Sequence, residues 1–141
     1  MPRIIVGIAL GTLTAFVVLF LIELLGHMVY PLPDDLDLRN PEASGQVVAA
    51  IPLPAKLFVI LAWFAGALVG GVLAKRICRR WWAAWPVAGL VACAAVVNVM
   101  MIPHPVWMQI SAVLAPLLGA LAASHLVAPR ARQPGGANAN L

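Results

Sequence analysis

Charge is scarce in this sequence. Asp, Glu, Lys and Arg make up 10% of its 141 residues, against about 25% in an ordinary soluble domain. A water-facing surface cannot be built from so few charges, so soluble enzyme folds and nucleic-acid modules are excluded. Cysteine is scarce too: Cys78 and Cys93 are the only two. They fall in a basic segment and in the middle of an apolar run, so they form neither a disulfide framework nor a CxxC pair. Acids number five, and four of them, Asp34, Asp35, Asp37 and Glu42, share one polar segment. That segment lacks the glycine turn and terminal bidentate glutamate of an EF-hand. No Ser/His pair, paired Asp or HExxH set is present, and such sets are what catalysis by side chains needs. An intramembrane enzyme would therefore depend on a metal or cofactor.

What the chain has is hydrophobic length. Apolar residues are 63% of the total and the mean hydropathy is +0.98. They come in four runs divided by charge or proline, each near the 20 or so residues that cross a bilayer. The spans are expected at 4–30, 55–74, 83–102 and 106–127. Pro103-His104-Pro105 leaves only a tight turn between the last two, since neither proline donates to a helix. Residues 130–141 carry too little apolar content to bury and read as a disordered tail. Met1-Pro2-Arg3 resembles the charged start of a signal peptide, but the apolar stretch is too long for one and lacks a small-x-small cleavage site before Glu23. The expected fold is an all-α, four-helix transmembrane bundle.

Cytoplasmic loops carry the Lys/Arg excess. Arg3, Lys75, Arg76, Arg79, Arg80, Arg130 and Arg132 fall on one side, and Arg39 and Lys56 on the other. Seven against two places both termini and the basic loop 75–82 in the cytoplasm, with the loop 31–54 and the His104 turn outside. Tyr30, Trp107, Trp81, Trp82 and Trp85 sit at the expected interfaces, as aromatic belts do. The expected location is a bacterial-type cytoplasmic membrane. The basic residues cluster at span ends, where they set topology and attract anionic headgroups, and nucleic acid is not expected as a partner.

Helices in lipid associate through small residues at helical spacing. The first span has Gly7, Gly11 and Ala15; the second Ala62, Gly66, Gly70 and Ala74; the fourth Ser111, Ala115, Gly119 and Ala123; the third a gentler Ala84, Ala88 and Ala92. Each set lies along one helix face. These ladders suit a tight bundle, whether within one chain, in a homo-oligomer or against a partner membrane protein. Pro116 should kink or loosen the fourth span.

Ionisable residues inside a membrane are costly and so point to function. Glu23 is the one acid in a span, and His27 follows it on the same helix face. Asn98, Gln109 and His104 fall at similar depth toward the outer end. Three readings stand open for this cluster. The residues are interhelical hydrogen-bond glue; or Glu23 is a proton- or substrate-coupling carboxylate modulated by His27, with Asn98, His104 and Gln109 orienting; or Glu23, His27 and His104 hold a metal ion or haem. Met28, Met100, Met101 and Met108 lie at the same depth, and thioethers favour soft metals. The expected function is binding or translocation of a cation or small solute, the alternative a structural or regulatory subunit that packs on a partner through its small-residue faces. A transport path through so slim a bundle would need a dimer or larger assembly.

Four short spans with one carboxylate, Glu23, in the first resemble the small multidrug resistance transporters. That resemblance implies a glutamate coupling protons to cationic substrates. It covers the span count and Glu23 alone: the outer loop is longer, Glu23 stands toward one leaflet, and the family's aromatic residues in the second and third spans are not found. Glu23-Leu24-Leu25-Gly26-His27 followed by Tyr30-Pro31 is similar to small bacterial membrane proteins, which implies no activity.

Overall fold

Prolines and an arginine in an unusual conformation set the boundaries of the helices in a computed structural model that describes residues 2–31, 45 and 48–127. Helix α1 spans Pro2–Val29, with proline at its first position, where the missing N–H costs nothing. Helix α2, Leu53–Cys78, starts from Pro52, whose carbonyl accepts from Ala55 and Lys56 N–H at 3.1 and 3.4 Å. It ends where Arg79 enters the left-handed region at φ 54°, its N–H donating to the Lys75 carbonyl at 2.8 Å. A 3₁₀ turn, Trp81–Ala83, leads into α3, Ala84–Met101. After the turn at Pro103-His104-Pro105, α4 covers Val106–Leu126. No strand occurs among the described residues, and all four helices are long and apolar enough to cross a membrane.

Three sequence expectations need correction. The second helix does not stop at Ala74: it continues one turn to Cys78, so residues 75–78 are helix and not part of a basic loop. Residues 48–50 are helical within the segment expected to be loop. Pro116 lies inside α4 and is fully buried. The expected tail 130–141 and the acids Asp34, Asp35, Asp37 and Glu42 lie outside the described residues.

The third correction concerns Lys75, which the sequence casts as a loop cation. Its side chain is only 5% exposed. A buried ammonium is stable only when its donors are satisfied, and it has three. They go to the last turn of α4: the carbonyls of Ser124 at 2.7 Å, Val127 at 2.9 Å and Ala123 at 3.3 Å. These carbonyls stand at the C-terminal end of α4, where acceptors outnumber backbone donors and the helix dipole is negative. Arg3 does the same for α2, donating from Nε to the Ile77 carbonyl at 2.7 Å. Two cations thus finish two helices of the same bundle end.

Packing begins between α1 and α2. A methyl group on Gly11 would stand 2.7 Å from the Gly70 carbonyl oxygen and 2.8 Å from Ala74 Cβ, and one on Gly66 would stand 2.8 Å from the Ala15 carbonyl oxygen. Gly70 in turn abuts the Gly11 carbonyl and Ala15, and Gly7 abuts Cys78 and Ile77. The two backbones touch directly. Helix α4 joins from the other side, where a methyl group on Gly119 would stand 2.6 Å from the Phe64 carbonyl oxygen and 3.0 Å from Ala67 Cβ. Helix α3 completes the core through Ala84, Val87, Ala88, Val91 and Ala95, all essentially buried. The small-residue ladders of α1, α2 and α4 are therefore filled within one chain. Large apolar residues such as Leu10, Phe20, Leu61, Leu90 and Leu118 point outward, as lipid-facing residues do.

Replacing Gly70 by Leu should cost about 3 kcal/mol, the upper end of overpacking penalties, because its neighbours include backbone that cannot yield. Gly89, with nothing within 4 Å, should accept leucine with an unchanged midpoint; thermal unfolding of both variants in detergent checks the pair. Lys75→Met should cost about 2 kcal/mol by stranding buried carbonyls. Amide exchange should then quicken selectively in the last turn of α4.

Candidate functional site

At the Tyr30 end of the bundle the contact between α1 and α2 changes character. Gly26 meets the side chain of Phe58, 3.1 Å from a methyl placed on the glycine, where Gly11 met backbone. The approach is still close, since the nearest atom is Phe58 Cβ, but the neighbour now carries a ring. Beside this contact lies a cavity of about 610 Å³, within the roughly 300–1,000 Å³ usual for small-molecule sites. All four helices contribute to its wall.

Glu23 and His27 enter the cavity from α1, one turn apart. Glu23 is half-buried and His27 exposed. Asn98 enters from the end of α3, and His104 from the turn that follows. Four residues picked out in the sequence thus share one cavity. Gln109 does not join them: it is exposed, and its Nε2 donates to the His104 carbonyl at 2.8 Å. That bond pins the turn between α3 and α4 and links no distant helices, so Gln109 supports the site from behind. His104 Nδ1 lies 2.6 Å from the Ile102 carbonyl. A carbonyl only accepts, so Nδ1 carries the proton and Nε2 of the neutral ring is left as an acceptor.

The metal reading finds no support in the geometry. Among the described residues no three His, Cys, Asp or Glu side chains are grouped to hold an ion. Glu23, His27 and His104 line the same cavity without forming such a set. Of the methionines, Met108 reaches the wall and is buried, while Met28, Met100 and Met101 face outward.

Two residues of the wall escaped the sequence reading. Lys56, in the first turn of α2, lines the cavity. Its Nζ reaches the Ala49 carbonyl at 3.4 Å. In the sequence it counted only as a minority vote on orientation; its position as the lone cation in the first turn of an apolar helix was the available signal. Tyr30 also lines the cavity and pairs with Phe58, ring centroids 6.2 Å apart and tilted by 57°. The rest of the wall is apolar: Val48, Val59, Ile102 and Met108 among others. One turn deeper than Val59 stands Trp63, only 2% exposed. Further from the cavity the buried core is mainly alanine and valine.

The chain matches no family model, no curated protein and no solved structure. The chemistry of the site must be read from these side chains alone.

Proposed function

We propose that the protein is a multi-pass membrane protein that binds a small solute bearing a cationic group in the cavity at its Tyr30 end. The observation that carries this reading is the placement of Glu23. The one acid in the four helices lies on the wall of a cavity large enough for a small molecule, and a carboxyl group at membrane depth is too costly to be filler. His27 modulates its charge, and Asn98 and His104 Nε2 orient the solute by hydrogen bonds. The apolar wall accepts the rest of the molecule. A single chain binds, and translocation would require an assembly of chains or a rearrangement of α1 against α3.

The Tyr30 end faces outward in this reading. Arg3, Arg76, Arg79 and Arg80 are exposed at the opposite end, and the positive-inside rule places that end in the cytoplasm. Lys75 stands at the same end, and its ammonium keeps its charge while donating to α4 carbonyls. The asymmetry favours both termini inside. A structural subunit docking through its small-residue faces is the weaker reading, since Gly11, Gly66, Gly70 and Gly119 are already covered.

Small organic amines such as benzylamine and tetramethylammonium should raise the thermal midpoint of the purified protein but not of Glu23→Gln. An equal response from the two proteins, or none from wild type, would overturn the reading. In a background with Cys78 and Cys93 replaced by serine, Asn98→Cys should react with a membrane-impermeant maleimide added to intact cells. Labelling only after lysis would reverse the orientation.

A further inference from the structure

The cavity holds both signs of charge at different depths, and this narrows its occupant. Gly26 and Phe58 touch, so they mark one level on the antiparallel helices α1 and α2. Glu23 lies three residues deeper than Gly26, about 4.5 Å at 1.5 Å per residue, and Lys56 lies two residues nearer the Tyr30 end than Phe58, about 3 Å. Their backbones are therefore offset by about 7.5 Å along the bundle. Among the described residues Lys56 uses one of its three donors, on Ala49, and that bond is long at 3.4 Å.

We propose that the occupant is a compact zwitterion with an apolar side group, the chemistry of an apolar amino acid, its ammonium on Glu23 and its carboxylate on Lys56. This inference rests on the solute-binding reading above. A charge-assisted hydrogen bond spans about 2.8 Å. Two such bonds, joined by an ammonium and a carboxylate separated by two or three covalent bonds, cover the offset between the two side chains. A plain cation would bind Glu23 but share the cavity with the like charge of Lys56, and a plain anion would do the reverse. Only a molecule with both groups leaves neither charge opposed. The side group lies against Phe58, Val59, Ile102 and Met108, and the Tyr30–Phe58 ring pair suits an aromatic one, since rings favour tilted or offset neighbours.

Three probes on one skeleton separate the charges: phenylalanine, phenethylamine, which lacks the carboxylate, and 3-phenylpropionate, which lacks the ammonium. Equilibrium binding to the full chain in nanodiscs should show phenylalanine at least tenfold tighter than either. Lys56→Gln should lower phenylalanine to the level of phenethylamine, Lys56→Arg should keep the carboxylate preference, and Glu23→Gln should lower phenylalanine to the level of 3-phenylpropionate. All three variants should retain the wild-type thermal midpoint, since both side chains stand at a cavity wall. Phenethylamine binding wild type as tightly as phenylalanine, with Lys56→Gln silent, would overturn the zwitterion and leave the cationic-solute reading standing. Failure of phenylalanine to bind wild type also overturns it; the benzylamine and tetramethylammonium response, with its dependence on Glu23, then decides the broader reading separately.

Discussion

The backbone contact between α1 and α2 is the constraint on which the rest of this bundle depends. Gly11 and Ala15 meet Gly66 and Gly70 with no side chain between them, and in a lipid-like medium such contact is the main source of helix affinity, because apolar side chains gain nothing by leaving lipid for protein. Once these helices are fixed at their closest approach, α4 has one small-residue groove left to fill, beside Phe64 and Ala67, and Gly119 fills it. Gly71 completes the junction, with Ala84 and Ala123 Cβ atoms 3.1 and 3.2 Å from a methyl placed there. Every helix is located by a residue that is small where the neighbour is backbone or alanine.

Closeness at one end has consequences for charge. Helix ends that approach so tightly leave little room for water, yet the last carbonyls of α2 and α4 still need donors. Arg3 and Lys75 supply them from neighbouring helices. The arrangement explains how a lysine can be buried with no carboxylate partner among the described residues: three carbonyls at a helix C-terminus offer both hydrogen bonds and the negative end of a dipole. Arg79 meets a related demand. It takes the left-handed position where glycine is the usual residue, at a cost of about 1 kcal/mol, so the chain turns sharply toward Trp81 while keeping a cation at the boundary.

Much of this was legible in the sequence, for identifiable reasons. The four helices follow from apolar runs bounded by proline and charge, and the ladders Gly7-Gly11-Ala15 and Gly66-Gly70-Ala74 mark their contact faces through spacing alone. Sequence spacing could not say whether those faces meet within a chain, because an Ala/Gly ladder looks the same against either neighbour. It misplaced the end of α2 because a lysine next to an arginine reads as a boundary, and nothing local reveals that the Lys75 ammonium will find carbonyls 48 to 52 residues away. Glu23, His27, Asn98 and His104 were picked out by depth, a one-dimensional coordinate that translates well into a bundle. Gln109 had the right depth and the wrong direction, and direction depends on how the Pro103-His104-Pro105 turn rotates α4. Lys56 was overlooked because a cation at a span end already has an explanation in topology.

The cavity lies away from that close contact. Glycine and alanine fill the contact faces at one end, whereas at the other the cavity lies beside Gly26 and Phe58, on the side that carries Glu23. Polar side chains and empty volume coincide for a physical reason: a carboxyl group cannot be packed among buried alanines without losing its hydrogen-bond partners, whereas the cavity admits water or a ligand to satisfy it. Interhelical glue would place its polar atoms against one another across a helix contact. Here Gln109 bonds within its own turn, His104 turns Nδ1 to a carbonyl two residues back, and the atoms facing the cavity keep capacity for a guest. A site whose supporting bonds are made locally, behind the wall, is one whose inner face is available for recognition.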